Sequence, residues 1–345
     1  MQMKSVWKML SAGAASLGMM ALILDSQTAL NGAADGISLC IRVVIPSLFP
    51  FFVLSIFLTA ALRGRSISLL RPISRLCRMP EGSESILAVG LLGGYPVGAQ
   101  AVFQAYNGRR LTRPAAHRLL GFCSNAGPAF IFGMGNALFI DKRCAWTLWG
   151  IQIISALMTG MLLPGGTSQL AAQSAEDAVS LPQAVTKALK VTAGVCGWII
   201  VFRTLLAFLQ RWFLWLLPNT FGVILTGLLE LANGYDALTG IGSECMRFLL
   251  CACFLSFGGI CVLMQTVSVT NSLGTGMYFP GKLLQTLLAF CLAGAAQRFL
   301  FPYDWNRTVY YTGVALLVII SAVVCFSAYK QKKTVAIRKN LVYNK

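Results

Sequence analysis

Ten apolar runs, each close to the length needed to cross a bilayer, constrain this chain more than any other feature. A membrane-spanning helix needs roughly 20 mostly apolar residues. The chain has 57% hydrophobic and 11% charged residues, which leaves too little polar surface to coat a water-soluble domain. We therefore predict an all-α polytopic membrane protein that forms a single membrane domain over residues 1–345. The runs lie at about 9–30, 41–62, 86–106, 118–140, 144–164, 190–210, 220–239, 245–270, 280–300 and 308–329.

The polar residues exclude several classes of function. The net charge of +17 comes from Lys and Arg between the apolar runs, where basic residues usually set membrane orientation, so we expect no nucleic-acid partner. Most of the eleven cysteines lie within apolar runs and the one histidine, His117, is isolated, so we expect no metal site, no cofactor and no disulfide framework. The sequence lacks a nucleophile–His–acid set and a phosphate-binding loop, so we expect no catalytic residues and no enzyme.

Basic clusters flank the run at 86–106 on both sides. A spanning helix would place one cluster outside the cell, whereas short cytoplasmic loops normally carry the basic residues. The middle of this run holds Gly93, Gly94, Pro96 and Gly98, which are poor residues for a helix interior. We therefore predict a re-entrant hairpin of two half-helices with its tip at Gly94-Tyr95-Pro96, and a kinked span is the alternative. The flanking basic residues are Arg63, Arg65, Arg71, Arg75 and Arg78 before the run and Arg109, Arg110, Arg113 and Arg118 after it.

The run at 220–239, which contains Gly227, Asn233 and Gly234, is predicted to form a second hairpin with its tip near residues 232–235. About eight transmembrane helices and two re-entrant hairpins result. The basic N-terminus and the basic C-terminal tail then both lie in the cytoplasm.

The order span, hairpin, broken span, span occurs at 41–164 (repeat 1) and again at 190–300 (repeat 2). An N-terminal helix at 1–40 precedes the repeats, and a C-terminal helix with a basic cytoplasmic tail follows at 301–345. The first unit starts outside and the second inside, so the two form an inverted repeat of the kind that builds many secondary transporters. Interruptions at corresponding positions predict a binding site near the membrane midplane.

Four breaks are expected to converge on this site: the two hairpin tips and interruptions at 124–128 and 256–259. Half-helix N-termini present partial positive charge to an anion. Taken one by one, the polar side chains are equally suited to hydrogen bonding between helices. The predicted substrate-binding residues are Gly94, Tyr95, Pro96, Gly98, Gln100, Ser124, Asn125, Gly127, Pro128, Asn233, Gly234, Ser256, Phe257, Gly258 and Gly259.

Glu230 is the one acid well inside a predicted membrane segment, and such residues are functional candidates by default. We interpret it as a candidate proton or cation coupling residue. An ion pair with Arg203 or Arg247 is the alternative of about equal weight.

Five motifs in order, at 46–52, 93–99, 122–128, 228–234 and 255–259, resemble the YlbJ-type sporulation integral membrane proteins, which contain the nucleoside-recognition, or Gate, domain. That group is similar to concentrative nucleoside transporters, whose two hairpins and two unwound helices enclose the substrate. The resemblance implies a role in sporulation, with family members implicated in moving dipicolinic acid across the mother-cell-derived membrane around the forespore.

Three functions remain open from the sequence. The first is a secondary-type carrier for a small anionic or planar solute such as dipicolinic acid. The second is a nucleoside carrier, although Gln100-Ala-Val stands where nucleoside carriers have Gln-Thr-Glu, which weighs against nucleosides and sodium coupling. The third is a non-transporting scaffold or receptor in sporulation. The expected partners are a small-molecule substrate and the lipid bilayer of the bacterial cell membrane, and homo-oligomerisation is left open.

Overall fold

The computed structural model describes residues 2–61, 67–165 and 179–316, together with 318 and 319. Within these ranges every regular element is helical and no strand is present. Arg63, Arg65, most of the loop before repeat 2, and the basic tail with the far end of the predicted 308–329 span lie outside them. The helices are α1 (Gln2–Leu24), α2 (Ser26–Leu39), α3 (Ile45–Ala61), α4 (Arg71–Leu76), α5 (Glu84–Leu92), α6 (Val97–Asn107), α7 (Arg113–Leu120), α8 (Pro128–Leu138), α9 (Lys142–Leu162), α10 (Leu181–Trp212), α11 (Asn219–Leu229), α12 (Leu231–Ala237), α13 (Glu244–Phe257), α14 (Gly259–Thr270) and α15 (Tyr278–Leu300), and residues 307–316 are also helical.

Four segments of the described chain are long and apolar enough to cross a membrane: Lys142–Leu162, Leu181–Trp212, Glu244–Thr270 and Tyr278–Leu300. A fifth results if Ser26–Val44 and Leu48–Phe57, which meet at a bend of 55°, form one span. Helices of this length and composition confirm a helical multi-pass membrane protein. The number of eight crossings stays a prediction.

The N-terminal region differs from the single helix expected over 1–40. The helix breaks at Asp25, whose carboxylate accepts a hydrogen bond from the backbone N–H of Thr28 (3.3 Å) and so caps α2. The helical path then continues through a π-helical turn at Cys40–Val44 directly into α3, so no loop separates the first two apolar runs. An acid that caps a new helix thus interrupts the first apolar run.

Helix α2 packs closely along α10. Its Gly32 and Gly36 lie one turn apart and face the α10 backbone, where an added Cβ would come within 2.9 Å of the Cα atoms of Thr204 and Ile200 respectively. Small residues at this spacing let two membrane helices approach closely. This contact holds the N-terminal region against the first helix of repeat 2.

Helices α5 and α6 form the first predicted hairpin. Their nine and eleven residues measure roughly 14 and 17 Å, about half of the hydrocarbon thickness, so neither helix crosses alone. Both arms contact the same carbonyl: a Cβ on Gly90 or on Gly98 would collide with the backbone oxygen of Cys123. The arms therefore lie side by side, and the helix breaks at residues 93–96, where the sequence predicts it.

Helices α11 and α12 form the second hairpin, but its break is at Glu230 and not at the predicted residues 232–235. The Glu230 carboxylate accepts the backbone N–H groups of Ala232 (3.0 Å) and Asn233 (2.6 Å) and starts α12 there. Residues 232–235, read from the sequence as a turn, are therefore helical. Gly227 and Gly234 pack backbone to backbone where the two arms meet.

The two predicted interruptions follow the hairpins. Residues 121–127 leave the helical conformation between α7 and α8, and Gly258 separates α13 from α14, whose first residue Gly259 shares its φ of +82°. The order helix, hairpin, interrupted pair, helix thus occurs from α3 to α9 and again from α10 to α15. Helix α10 begins at Leu181, nine residues before the predicted boundary, because Ser180 and Gln183 form a capping box there. The two-fold relation between these units stays a prediction.

Arg118, which the sequence places among the loop residues that set topology, is only 4% exposed. Its guanidinium donates to the carbonyl oxygens of Cys77 (2.7 Å), Arg78 (3.2 Å) and Gly160. This side chain therefore joins the loop before hairpin 1 to the end of α9, and its role in the fold is structural as well as topological.

We expect Gly98→Ala to lower the free energy of unfolding by about 1–3 kcal/mol or more, because its new methyl group collides with a backbone oxygen that cannot move aside cheaply. Thermal unfolding in detergent measures the effect. The matched control is Gly194→Ala in the middle of α10, where an added Cβ meets no atom within 4 Å and no loss of stability is expected, because Ala favours a helix interior over Gly. Equal effects of the two substitutions would contradict the packing described for hairpin 1.

Candidate functional site

The ends of both hairpins and the first interruption meet at one small cavity. Its lining includes Gly94 and Tyr95 from hairpin 1, Gly127 from the interruption, and Glu230 and Ala232 from hairpin 2. Side chains of the π-helical turn, α10 and α14 complete the walls, which are mostly apolar. The cavity volume of about 60 Å³ accommodates a few water molecules and is well below the several hundred Å³ of a typical ligand pocket.

Tyr95 joins hairpin 1 to the second interruption. Its hydroxyl lies 3.2 Å from the carbonyl oxygen of Leu255 and 3.3 Å from that of Ser256, both in the last turn of α13, and donates to them. These carbonyls lack helical partners because the helix stops at Gly258. Gln152 on α9 also donates to Leu255 (3.3 Å) and accepts from the Ser256 hydroxyl (3.0 Å). Hairpin 1 and α9 are thereby both fixed to the end of α13.

Asn125 is the centre of a second network behind the cavity wall. Its amide nitrogen donates to the carbonyl oxygens of Phe122 (2.8 Å) and Gly90 (3.4 Å). Its amide oxygen accepts from the Lys282 ammonium (3.2 Å) and from the Gln285 amide (2.9 Å), and Lys282 also donates to Gln285 (2.7 Å). This predicted site residue therefore connects hairpin 1 and the first interruption to α15.

Glu230, the candidate coupling residue, lines the cavity with 3% of its surface exposed. The alternative of an ion pair with Arg247 is wrong, because Arg247 pairs with Glu244 (3.3 Å). Glu230 forms no ion pair with the described Arg203 either, and both its oxygens cap α12. An acid at this position neutralises the partial positive charge of the α12 N-terminus, so this half-helix does not present the free anion site that the sequence suggested.

The remaining predicted residues have different surroundings. Gly98, Gly234 and Gly259 provide close backbone contacts rather than ligand groups. Phe257 packs against Phe279, with ring centroids 6.3 Å apart, and does not line the cavity. Gln100, Pro96, Pro128 and Gly258 also lie outside its lining, although Gly258 contacts the Tyr95 ring.

Two predicted residues keep unused hydrogen-bonding capacity. The Ser124 hydroxyl and the amide oxygen and nitrogen of the Asn233 side chain are buried, and they find no hydrogen-bond partner among the described residues. Buried polar groups are normally satisfied by protein, water or a ligand. Both side chains therefore remain available to water or to a bound molecule.

A wider cavity of about 530 Å³ lies next to the small one. Val43 and Phe130 line both, and Arg42, Asp236 and Thr239 lie around the wider space. Phe130 packs edge-on against Tyr235, with ring centroids 6.0 Å apart. The wider cavity, here called the vestibule, thus shares the side chains of Val43 and Phe130 with the small cavity.

Sequence reasoning missed Lys282, Gln285, Gln152 and the π-helical turn. Lys282 could have been identified from the sequence, because a lysine inside an apolar run is as strong a functional candidate as the acid Glu230. Gln152, Gln285 and the turn at Cys40–Val44 have no distinctive local pattern. They matter only because other elements pack against them.

Comparison with known proteins gives one curated relative. Over 148 residues the chain is 32% identical to "Sporulation integral membrane protein YlbJ" of Bacillus subtilis (strain 168), a match that covers 42% of this chain and 35% of that protein. No protein-family model and no solved structure matches the chain. The match supports the resemblance to sporulation integral membrane proteins and a membrane role. The nucleoside-recognition domain stays a prediction.

Replacing Tyr95 with Phe removes the hydroxyl that joins hairpin 1 to α13 and leaves the Ser256 carbonyl without that partner. We expect the free energy of unfolding to fall by about 1–3 kcal/mol, the typical cost of an unsatisfied buried polar group. Thermal unfolding in detergent, compared with Tyr303→Phe at a fully exposed position, measures it. An unchanged stability in Tyr95→Phe would show that this hydrogen bond does not hold the hairpin.

Proposed function

We propose that this protein is a secondary-type membrane carrier for a small anionic or planar solute, with dipicolinic acid as the first candidate, and that it acts in sporulation. The observation that carries the proposal is the small cavity, because both hairpins and the first interruption contribute to it. Interrupted helices at membrane depth are tolerated only where protein or a water-filled cavity satisfies their backbone. A scaffold or receptor has no need of two sets of interrupted helices.

The relative's name supports the sporulation part of the proposal. The proposed location is the mother-cell-derived membrane around the forespore, with both termini in the cytoplasm. The proposed architecture has eight crossings and two re-entrant hairpins in an inverted repeat. The recurrence of the element order from α3 to α9 and from α10 to α15 supports it.

The size of the cavity defines what transport requires. A planar dicarboxylate needs more than the space of about 60 Å³ between the hairpin ends, so a solute enters only when these ends part. In the proposed cycle the vestibule is the route by which the solute reaches Val43 and Phe130, which line both cavities. Closed hairpins with an open vestibule correspond to one stage of an alternating-access cycle.

Uptake by liposomes that contain the purified protein tests the carrier directly. We expect labelled dipicolinate to accumulate above the level of protein-free liposomes and above that of uridine. Uptake of uridine alone would favour the nucleoside carrier. If a folded protein takes up neither solute, the carrier proposal is wrong.

A cavity-filling variant makes the same experiment specific to the site. Ala232→Leu adds a branched side chain to a space of about 60 Å³, and we expect dipicolinate uptake to fall by about tenfold or more. Ala34→Leu, at an exposed position of α2, is the control and is expected to keep nearly normal uptake. Equal uptake by both variants would place the transport path elsewhere.

Cysteine labelling tests the re-entrant hairpin. Glu81 and Arg109 are exposed at the outer ends of the two arms, so Glu81→Cys and Arg109→Cys should react from the same side of the membrane. Ten native cysteines lie in the described chain, nine of them buried and Cys253 half-buried, and the parent protein measures their background. Labelling of the two positions from opposite sides would show that this segment spans the membrane and would overturn the inverted repeat.

A further inference from the structure

Lys282 places a cation directly behind the wall of the small cavity. It lies in α15, a helix long and apolar enough to cross a membrane, and only 1% of its surface is exposed. Its ammonium lies 5.1 Å from the centre of the Tyr95 ring and 5.8 Å from that of Tyr278. A charged side chain at such a position is costly and usually functional.

The ammonium has no negative partner in the described part of the chain. Its hydrogen bonds go to the neutral amide oxygens of Asn125 (3.2 Å) and Gln285 (2.7 Å), which use two of its three N–H groups. Neither ion pair found among these residues includes Lys282. In its ammonium form the group is therefore stabilised by dipoles and aromatic faces and by no counter-charge.

The hydrogen-bond network does not need this charge in order to hold the helices together. Gln285 donates directly to Asn125 (2.9 Å), and this bond joins α15 to the first interruption without the lysine. An apolar side chain in place of Lys282 would keep that bond and avoid the cost of burying a charge, at the loss of the donor to the Gln285 amide oxygen. The cation therefore requires an explanation beyond packing.

Tyr95 lies between Lys282 and the cavity. Its side chain lines the cavity and also covers the ammonium, and it belongs to the hairpin end that has to move for a solute to enter. Asn125, which holds the ammonium, immediately precedes Ala126 and Gly127 in the cavity wall. The Tyr95 ring therefore lines the cavity on one side and contacts the ammonium on the other.

We propose that Lys282 is the charge-selecting residue of the carrier, and that its ammonium pairs with a carboxylate of the solute when the Tyr95 ring moves aside. The inference rests on the proposed function and specifies the solute as a small carboxylate anion. Asn125 and Gln285 act as positioning residues that hold the ammonium in the absence of solute. Glu230 on hairpin 2 is occupied in capping α12, so it does not compete for this charge.

A pair of isosteric ligands tests the charge selection. Pyridine-2,6-dicarboxylate and the uncharged pyridine-2,6-dicarboxamide have the same shape, and calorimetry with the purified protein in detergent measures the affinity for each. We expect the wild type to bind the dianion more tightly. We expect Lys282→Met and Lys282→Gln to weaken dianion binding by about 30-fold and diamide binding by less than about threefold, as is typical when one partner of a buried charge pair is removed.

Lys190→Met on an exposed face of α10 is the matched control, and it is expected to change neither affinity. Equal weakening of both ligands by the Lys282 variants, or no weakening, would overturn the inference while leaving the carrier intact. A wild type that binds the diamide as tightly as the dianion would overturn it as well, and this result does not depend on whether the variants fold. A wild type that binds neither ligand and transports no solute would overturn the proposed function and the inference together.

Discussion

Lipid provides no hydrogen-bond partners, so every backbone group that a broken helix releases at membrane depth must find a partner in the protein or in water that the protein holds. This requirement organises the centre of the molecule. The Glu230 carboxylate binds the free N–H groups at the start of α12, and the Tyr95 hydroxyl and the Gln152 amide bind the carbonyl groups at the end of α13. Both of these breaks are thus satisfied by side chains, and at the end of α13 the side chains come from other elements.

Close contacts between backbones are the second condition for this arrangement. Hairpin 1 encloses the carbonyl group of Cys123 because Gly90 and Gly98 have no side chain there, and hairpin 2 closes at Gly227 and Gly234 in the same way. Such contacts place the hairpin ends within reach of the interrupted segments. They also explain why glycines that suggested ligand binding in the sequence contribute packing in the fold.

The charges near the cavity follow from the same physics. Glu230 and Lys282 are both almost fully buried, yet the carboxylate is satisfied by two backbone N–H groups while the ammonium has only neutral acceptors. Neither side chain has an ion-pair partner among the described residues, but only Glu230 meets the partial positive charge of a helix N-terminus, so Lys282 is the less compensated of the two. The structure thereby shifts attention from the acid in hairpin 2 to the lysine in α15.

The sequence by itself determined the membrane character, the break in hairpin 1 and the two interruptions, because apolar length, glycine and proline act locally on the helix. It also singled out Tyr95 and Asn125 as candidate binding residues and Glu230 as a candidate coupling residue, and all three lie at or next to the small cavity. Only the tertiary structure decided that Glu230 caps a helix, that Arg118 is buried, and that Asn125 meets Lys282 from a position 157 residues away. These roles depend on which groups, distant in the sequence, lack a hydrogen-bond partner in the fold, and a local pattern of residues cannot predict that.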